Sequence, residues 1–149
     1  MTAKPVQKDA VSTMLIDQWE QAGCKIAALA EAVPEEQYES RAAGGVRTFG
    51  ETLRHLAFWN QYAAASARGE QPDGSANELP AEQYRTKAQI LEAFSASVAE
   101  TTAALRASHG GLDAKTAEVA VAFLVHSAEH YGQLAVYSRL AGIVPPASR

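Results

Sequence analysis

Two histidines four residues apart, His126 and His130, sit in the last long apolar stretch of the chain, and a third, His55, stands far upstream with Trp59 and Tyr62 at i+4 and i+7. Residues at i and i+4 of a helix lie one turn apart on one face, near enough for two imidazoles to converge on one ion. His55 shares its face with two aromatic residues, so it too is expected to point inward and to supply a third ligand. Three neutral imidazoles leave one or more coordination positions for water or substrate, the arrangement of a catalytic rather than a closed structural metal site. Zinc suits this ligand type best. Nickel, iron and cobalt also accept imidazole, with geometry and supply deciding the occupant. A plainer reading stays open, because a lone buried imidazole is as a rule a hydrogen-bonded core residue and HxxxH on an exposed face needs no ligand.

Other chemistries find less support in the residues. Di-iron bundles need Glu-x-x-His on two helices, whereas the positions three before these histidines are Thr52, Phe123 and Ser127. His-Glu-x-x-His is absent because Ser127 follows His126, which leaves zincin-type proteolysis without its motif. Glu129 falls beside the pair only peripherally. Glu51, one turn before His55, could orient that ring, but it also completes a helix cap, and the cap is the reading preferred here. Ser127 and Ser138 have no visible His-Asp relay, Cys24 lacks charged neighbours to lower its pKa, and no Gly-rich phosphate loop precedes a helix.

Four periodic stretches must position these side chains. The first, from about Asp9 to Ala32, carries Val11, Leu15, Trp19, Ala22, Ile26, Leu29 and Val33 at spacings of three and four, and Pro34 ends it. A short helical turn is expected at Pro34–Tyr38, then a loop through Gly44-Gly45. Thr48-Phe49-Gly50-Glu51 reads as a capping box opening a second helix, with Leu53, Leu56, Trp59 and Ala63 inward and a stop at Gly69. Pro72, Gly74 and Pro80 make residues 70–85 the longest loop. Thr86-Lys87-Ala88-Gln89 is a second capping box, before a stripe of Ile90, Phe94, Val98, Thr101 and Leu105 closing near Gly110-Gly111. Asp113 is expected to cap a fourth helix that runs to Ala141, with Val119, Phe123, His126, His130, Leu134, Tyr137 and Ala141 inward and Gly142 as its stop. Four such helices most simply form an all-α four-helix bundle.

Composition agrees with that fold and narrows the function. The chain has 149 residues, the size of a single domain over 1–149, and its 31 alanines against 10 glycines and 6 prolines favour helix. With 13 Lys and Arg against 17 Asp and Glu, a formal net charge of −4 and no block of like charge, nothing marks a nucleic-acid surface. No apolar run approaches the roughly 20 residues that span a bilayer, and the first 20 residues are broken by charges and Pro5, so neither a membrane span nor a signal peptide is expected. One cysteine, Cys24, can form neither an internal disulfide nor a thiolate cage, which suits a cytoplasmic setting. Cys24 is expected to be a small buried residue beside Ala22 and Ile26.

The run from His126-Ser127-Ala128-Glu129-His130-Tyr131-Gly132-Gln133 to Pro145-Pro146 resembles the closing helix of the DinB-like superfamily, and the Pro34-Glu35-Glu36-Gln37-Tyr38 turn and helix order are similar too. That superfamily includes damage-inducible proteins and YfiT-like metal-dependent hydrolases and thiol transferases. The resemblance implies a four-helix bundle with a divalent ion, zinc or nickel, held by His55, in Thr52-Leu53-Arg54-His55-Leu56-Ala57, together with His126 and His130. It also implies a homodimer and, for members that are transferases, attachment of a low-molecular-weight thiol such as bacillithiol or mycothiol to a small electrophile. Gly132, inside a helix at a cost of about 1 kcal/mol relative to Ala, fits a close approach either of a second copy or of a neighbour in the same chain. Arg139 and Tyr131 flank the ligand face and are candidates to hold an anionic substrate, although Arg near a helix C-terminus is expected anyway from the dipole. His109 reads as a loop histidine without a partner. Two functions therefore stand side by side: a metal-dependent transferase or hydrolase, and a non-catalytic, metal-stabilised dimeric binding module. The second draws on the lack of a general base on the ligand stripe.

Overall fold

The computed structural model describes residues 9–108 and 111–149, so His109 and Gly110 lie outside the described residues. Four α-helices account for most of them: α1, Ala10–Ala32; α2, Phe49–Ala67; α3, Lys87–Arg106; and α4, Ala114–Leu140. Each begins where a side chain satisfies the free backbone amides of a first turn. Asp9 accepts from the amides of Val11 and Ser12, and Asp113 from that of Thr116. Both capping boxes form as expected. Thr48 Oγ1 accepts from Glu51 N at 3.0 Å while Glu51 accepts from Thr48 N at 2.7 Å, and Thr86 and Gln89 repeat the exchange. The turn expected at Pro34–Tyr38 is a 3-10 turn, Glu35–Gln37. Gly142, at φ 79°, takes the left-handed conformation just past α4 that L-residues avoid.

α3 ends at Arg106, short of the expected Gly110-Gly111. Leu105 is its last buried position, and Ser108 N turns back onto Leu105 O. The chain then crosses to α4, where Leu112 N donates to Ser12 Oγ at the start of α1.

Contacts at the helix ends fix the directions. The end of α1 meets the starts of both α2 and α3: Gly50 N donates to Tyr38 O at 2.8 Å, and Lys87 Nζ donates to Glu31 O at 2.6 Å. The first half of α1 meets the end of α3, through Arg106 with Asp17 and Glu20, and its first turn meets the entry to α4, through Ser12 and Leu112. The helices therefore run up, down, down, up, with α1 and α2 each packed against both α3 and α4. Because α2 and α3 are parallel, residues 68–86 must return along the whole of α2, about 28 Å. This geometric necessity lays the loop across the face of α2 that carries His55.

Two apolar clusters fill the interior. The larger includes Ile26, Leu29, Tyr38, Leu53, Leu56, Phe94 and Leu134; the smaller holds Ile16, Trp19, Ala63, Leu105 and Ala120. The α3 stripe from Ile90 to Leu105 is buried throughout, as its spacing predicts. α1 departs from expectation at its start. Val11 is 62% exposed and Ser12 is buried instead, because Ser12 must reach the amide of Leu112. Further along, Gly23 rather than Ala22 faces α3, where a Cβ would overlap the side chain of Val98. That rotation leaves Cys24 exposed, a correction to the buried placement expected for it. On α4 the fully buried seam is Ala120, Ser127, Leu134 and Ser138. Val119, Phe123, His126, His130 and Tyr137 are half-buried beside it and Ala141 is exposed, so the expected stripe is a flank of the seam. No described helix is long and apolar enough to cross a membrane.

Candidate metal centre

His55 lies in the second turn of α2, backed by the fully buried Leu53, Leu56 and Ala57, and is itself buried. Its ring is fixed by the returning loop. Nδ1 donates to Asn77 O at 2.6 Å, which settles the tautomer and turns the bare lone pair of Nε2 away from the loop. Asn77 has φ 59°, a left-handed conformation that Asn tolerates better than most residues. Its side-chain oxygen also accepts from Trp59 Nε1 at 2.9 Å. The next two residues are tied to the same turn of helix: Glu78 accepts from Arg54 Nε at 2.9 Å, and Leu79 N donates to Arg54 O at 3.3 Å. Three successive loop residues are thus fastened to Arg54 and His55.

The Nε2 atoms of His126 and His130 complete the group. His126 Nε2 stands 3.0 Å from Nε2 of His55 and 3.0 Å from Nε2 of His130, and the three ring nitrogens all lie within 4.8 Å of one another. Nitrogens each about 2.0–2.1 Å from one ion are separated by roughly 3.0–3.4 Å at angles near 90–110°. The donor set therefore fits: three converging imidazole nitrogens, two of the three pairs at ligand spacing, and two rings with their other nitrogen donating to an oxygen. For His130 that oxygen is Gln133 Oε1, at 2.7 Å. Such partners orient a ligating imidazole and raise its basicity. This is a cluster that could hold a metal ion.

Electrostatics keep the rings neutral. Burial pushes His55 and His126 down to about 4, and pushes His130 below the usual imidazole range as well. For His55 and His130 the hydrogen bonds to Asn77 and Gln133 act in the opposite direction, while the positive charge of Arg47 adds to the lowering at all three rings. Neutral imidazole is the form that ligates.

On one side the cluster is closed by stacked aromatics. Trp59 lies against Phe123 with centroids 5.5 Å apart and planes at 22°, and both rings meet His126 edge-on. On another side His130 opens onto a cavity of about 610 Å³ that is also lined by Arg41, Arg47, Glu51, Glu78, Gln133 and Tyr137. Of the residues singled out in the sequence, Arg139 is exposed and away from this cavity, and Tyr131 sits under Lys25 Nζ at 4.3 Å on the other flank of α4. Neither reaches the cluster. Glu51 is held by its cap and by Arg41 Nη2 at 2.8 Å, as the cap reading expects, and Glu129 is exposed. Asn77, Glu78, Gln133, Arg41 and Arg47 were not anticipated. Gln133, three residues after His130, was legible as a helical neighbour; the loop residues had no periodicity to place them.

A search among curated proteins finds no significant match to the chain. The family model described as the DinB superfamily matches residues 18–134, a span that includes the three clustered histidines, all of α2 and most of α4. The chain belongs to the DinB superfamily.

Proposed function

We propose that His55, His126 and His130 hold one divalent ion, zinc or nickel, and that the protein transfers a low-molecular-weight thiol to a small electrophile in the cytoplasm. The observation that carries this reading is the cavity of about 610 Å³ opening beside His130, within the size range of small-molecule sites and far larger than a hydrolytic water requires. A bound divalent ion favours the thiolate form of a coordinating thiol, the nucleophilic form. The chain's own contribution is placement. Asn77 and Gln133 fix the rings of His55 and His130, Trp59 and Phe123 close the inner side to water, and the cavity admits the two reactants side by side. In the transfer the thiol proton goes to solvent, sulfur forms a bond to the electrophilic carbon, and the leaving group departs with the bonding pair.

One observation favours a non-catalytic module instead: both carboxylates at the cavity, Glu51 and Glu78, are engaged by Arg41 and Arg54, leaving no free base there. Cobalt-substituted protein separates the two. Addition of 2-mercaptoethanol is expected to give a thiolate charge-transfer band, and metal-loaded protein is expected to speed thiol consumption of an aryl halide or epoxide while His126→Ala does not. A band without turnover would replace the transferase with the module; no band would remove the thiol.

A homodimer belongs to this reading. Val121, Val125, Val136 and Leu140 form an exposed apolar line along α4, and a Cβ placed on Gly132 meets nothing within 4 Å among the described residues, so none of them is what its small size serves. The line is self-complementary. In an antiparallel two-fold crossing centred between His130 and Tyr131, Val121 falls opposite Leu140, Val125 opposite Val136 and Glu129 opposite Gly132 of the second copy.

A further inference from the structure

The cavity beside the histidines carries an uncommitted positive charge. Of its ionisable groups, Arg41 is paired with Glu51 at 2.8 Å, and Glu78 with Arg54 at 2.9 Å. Arg47 lines the same cavity, is half-buried, and has no hydrogen bond or carboxylate partner among the described residues. It directly precedes Thr48, whose capping bonds pin the backbone there, so the guanidinium is offered from a fixed base. Its charge is felt at all three imidazoles. Three neutral ligands also leave both positive charges of a divalent ion uncompensated. A half-buried guanidinium facing a small-molecule cavity, with no internal anion, is a group arranged for an oxyanion from outside, and its planar fork matches a carboxylate or phosphate in two parallel bonds.

We infer that Arg47 is the specificity residue of the cavity and that the ligand it selects carries a carboxylate or phosphate group bound against that guanidinium. The inference rests on the proposed function for the metal-facing end of the ligand, and adds the chemistry of its other end. Neutral thiols or electrophiles of similar size are poorer ligands because they leave Arg47 solvated or unpaired.

Three probes test it. Cobalt-substituted protein is titrated with 3-mercaptopropionate and with 2-mercaptoethanol, and protein as purified is titrated calorimetrically with succinate. The carboxylate-bearing thiol is expected to bind at least about tenfold more tightly than the neutral one, and Arg47→Gln to weaken 3-mercaptopropionate and succinate by about tenfold while leaving 2-mercaptoethanol within about twofold. Arg139→Gln, on an exposed side chain away from the cavity, is expected to change none of the three. If neither thiol binds but succinate does so in an Arg47-dependent way, the thiol reading falls and the anion pocket stands. If both thiols bind equally and Arg47→Gln changes nothing, the pocket falls and the thiol reading stands. Equal weakening of all three probes would mark Arg47 as structural, and no succinate binding would equally overturn the inference.

Discussion

α2 and α4 each supply histidines to the same cluster, yet they are opposite kinds of helix. α2 buries 12 of its 19 residues, including Arg54, His55 and Asn60, whereas α4 buries 4 of 27. α2 is enclosed by α3 and α4 and has a loop pulled across it. α4 is an outer wall with one narrow seam inward, Ala120, Ser127, Leu134 and Ser138, and large apolar side chains outward. His55 is therefore held from behind by packing and from the front by the Asn77 carbonyl of a distant loop, while Nδ1 of His130 is held by Gln133 on its own helix. One histidine is built into the core, and two are presented to it from a helix whose outer face carries the proposed dimer contact.

The contrast is sharpest in stability. Leu56→Ala is expected to cost about 3 kcal/mol, the usual penalty for a cavity at a fully buried Leu, and Val125→Ala less than about 0.5 kcal/mol in the monomer. Urea unfolding at low protein concentration checks both. Comparable losses at the two sites would mean that α4 is no more peripheral than α2. Val125→Arg, by contrast, is expected to leave the fold intact and shift sedimentation from dimer to monomer, and a wild-type protein that is already monomeric at micromolar concentration would remove the dimer.

Acid should separate the metal-free cluster from the rest of the fold. The imidazoles of His55, His126 and His130 protonate less readily in the folded chain than in the unfolded one, so below the ordinary imidazole pKa of 6.5 the unfolded state binds more protons. Stability of chelator-treated protein is thus fully present above about pH 7 and falls toward about pH 4, by about 2 kcal/mol once solvent screening is allowed for. Stability that is flat or rises across this interval would mean the rings are not buried as neutral species.

A smaller effect is expected from the loop. Asn77→Ala keeps the carbonyl that His55 uses but loses the bond to Trp59 and places Ala at φ 59°, costing about 1 kcal/mol. Metal affinity is expected to drop by about tenfold, less than for loss of a ligand. An unchanged affinity would show that α2 alone orients His55.

These regions were not equally legible in the sequence. The caps at Thr48, Thr86 and Asp113, the stop at Gly142 and the α3 stripe could be read directly, because each is a local pattern with a local cause. His55, His126 and His130 were readable as a group by spacing and by family likeness. The first turn of α1 was misread because Ser12 faces inward for a bond to Leu112, far along the chain, and Cys24 because Gly23 takes the close approach to Val98. Residues 70–85 looked like a breaker-rich loop and nothing more. Only the parallel run of α2 and α3 forces that loop back past His55, and this long-range fact brings Asn77 and Glu78 to the site.

The central claim is that three histidines from two dissimilar helices hold one ion. Elemental analysis of protein purified without an affinity tag, set beside His55→Ala, His126→Ala and His130→Ala, tests it most directly. The account predicts about one divalent ion per chain in the wild type and a sharp loss in each variant that still shows the wild-type helical spectrum. Stoichiometric metal retained in any single variant, or a wild-type chain that takes up none when supplied with zinc or nickel at neutral pH, would contradict it.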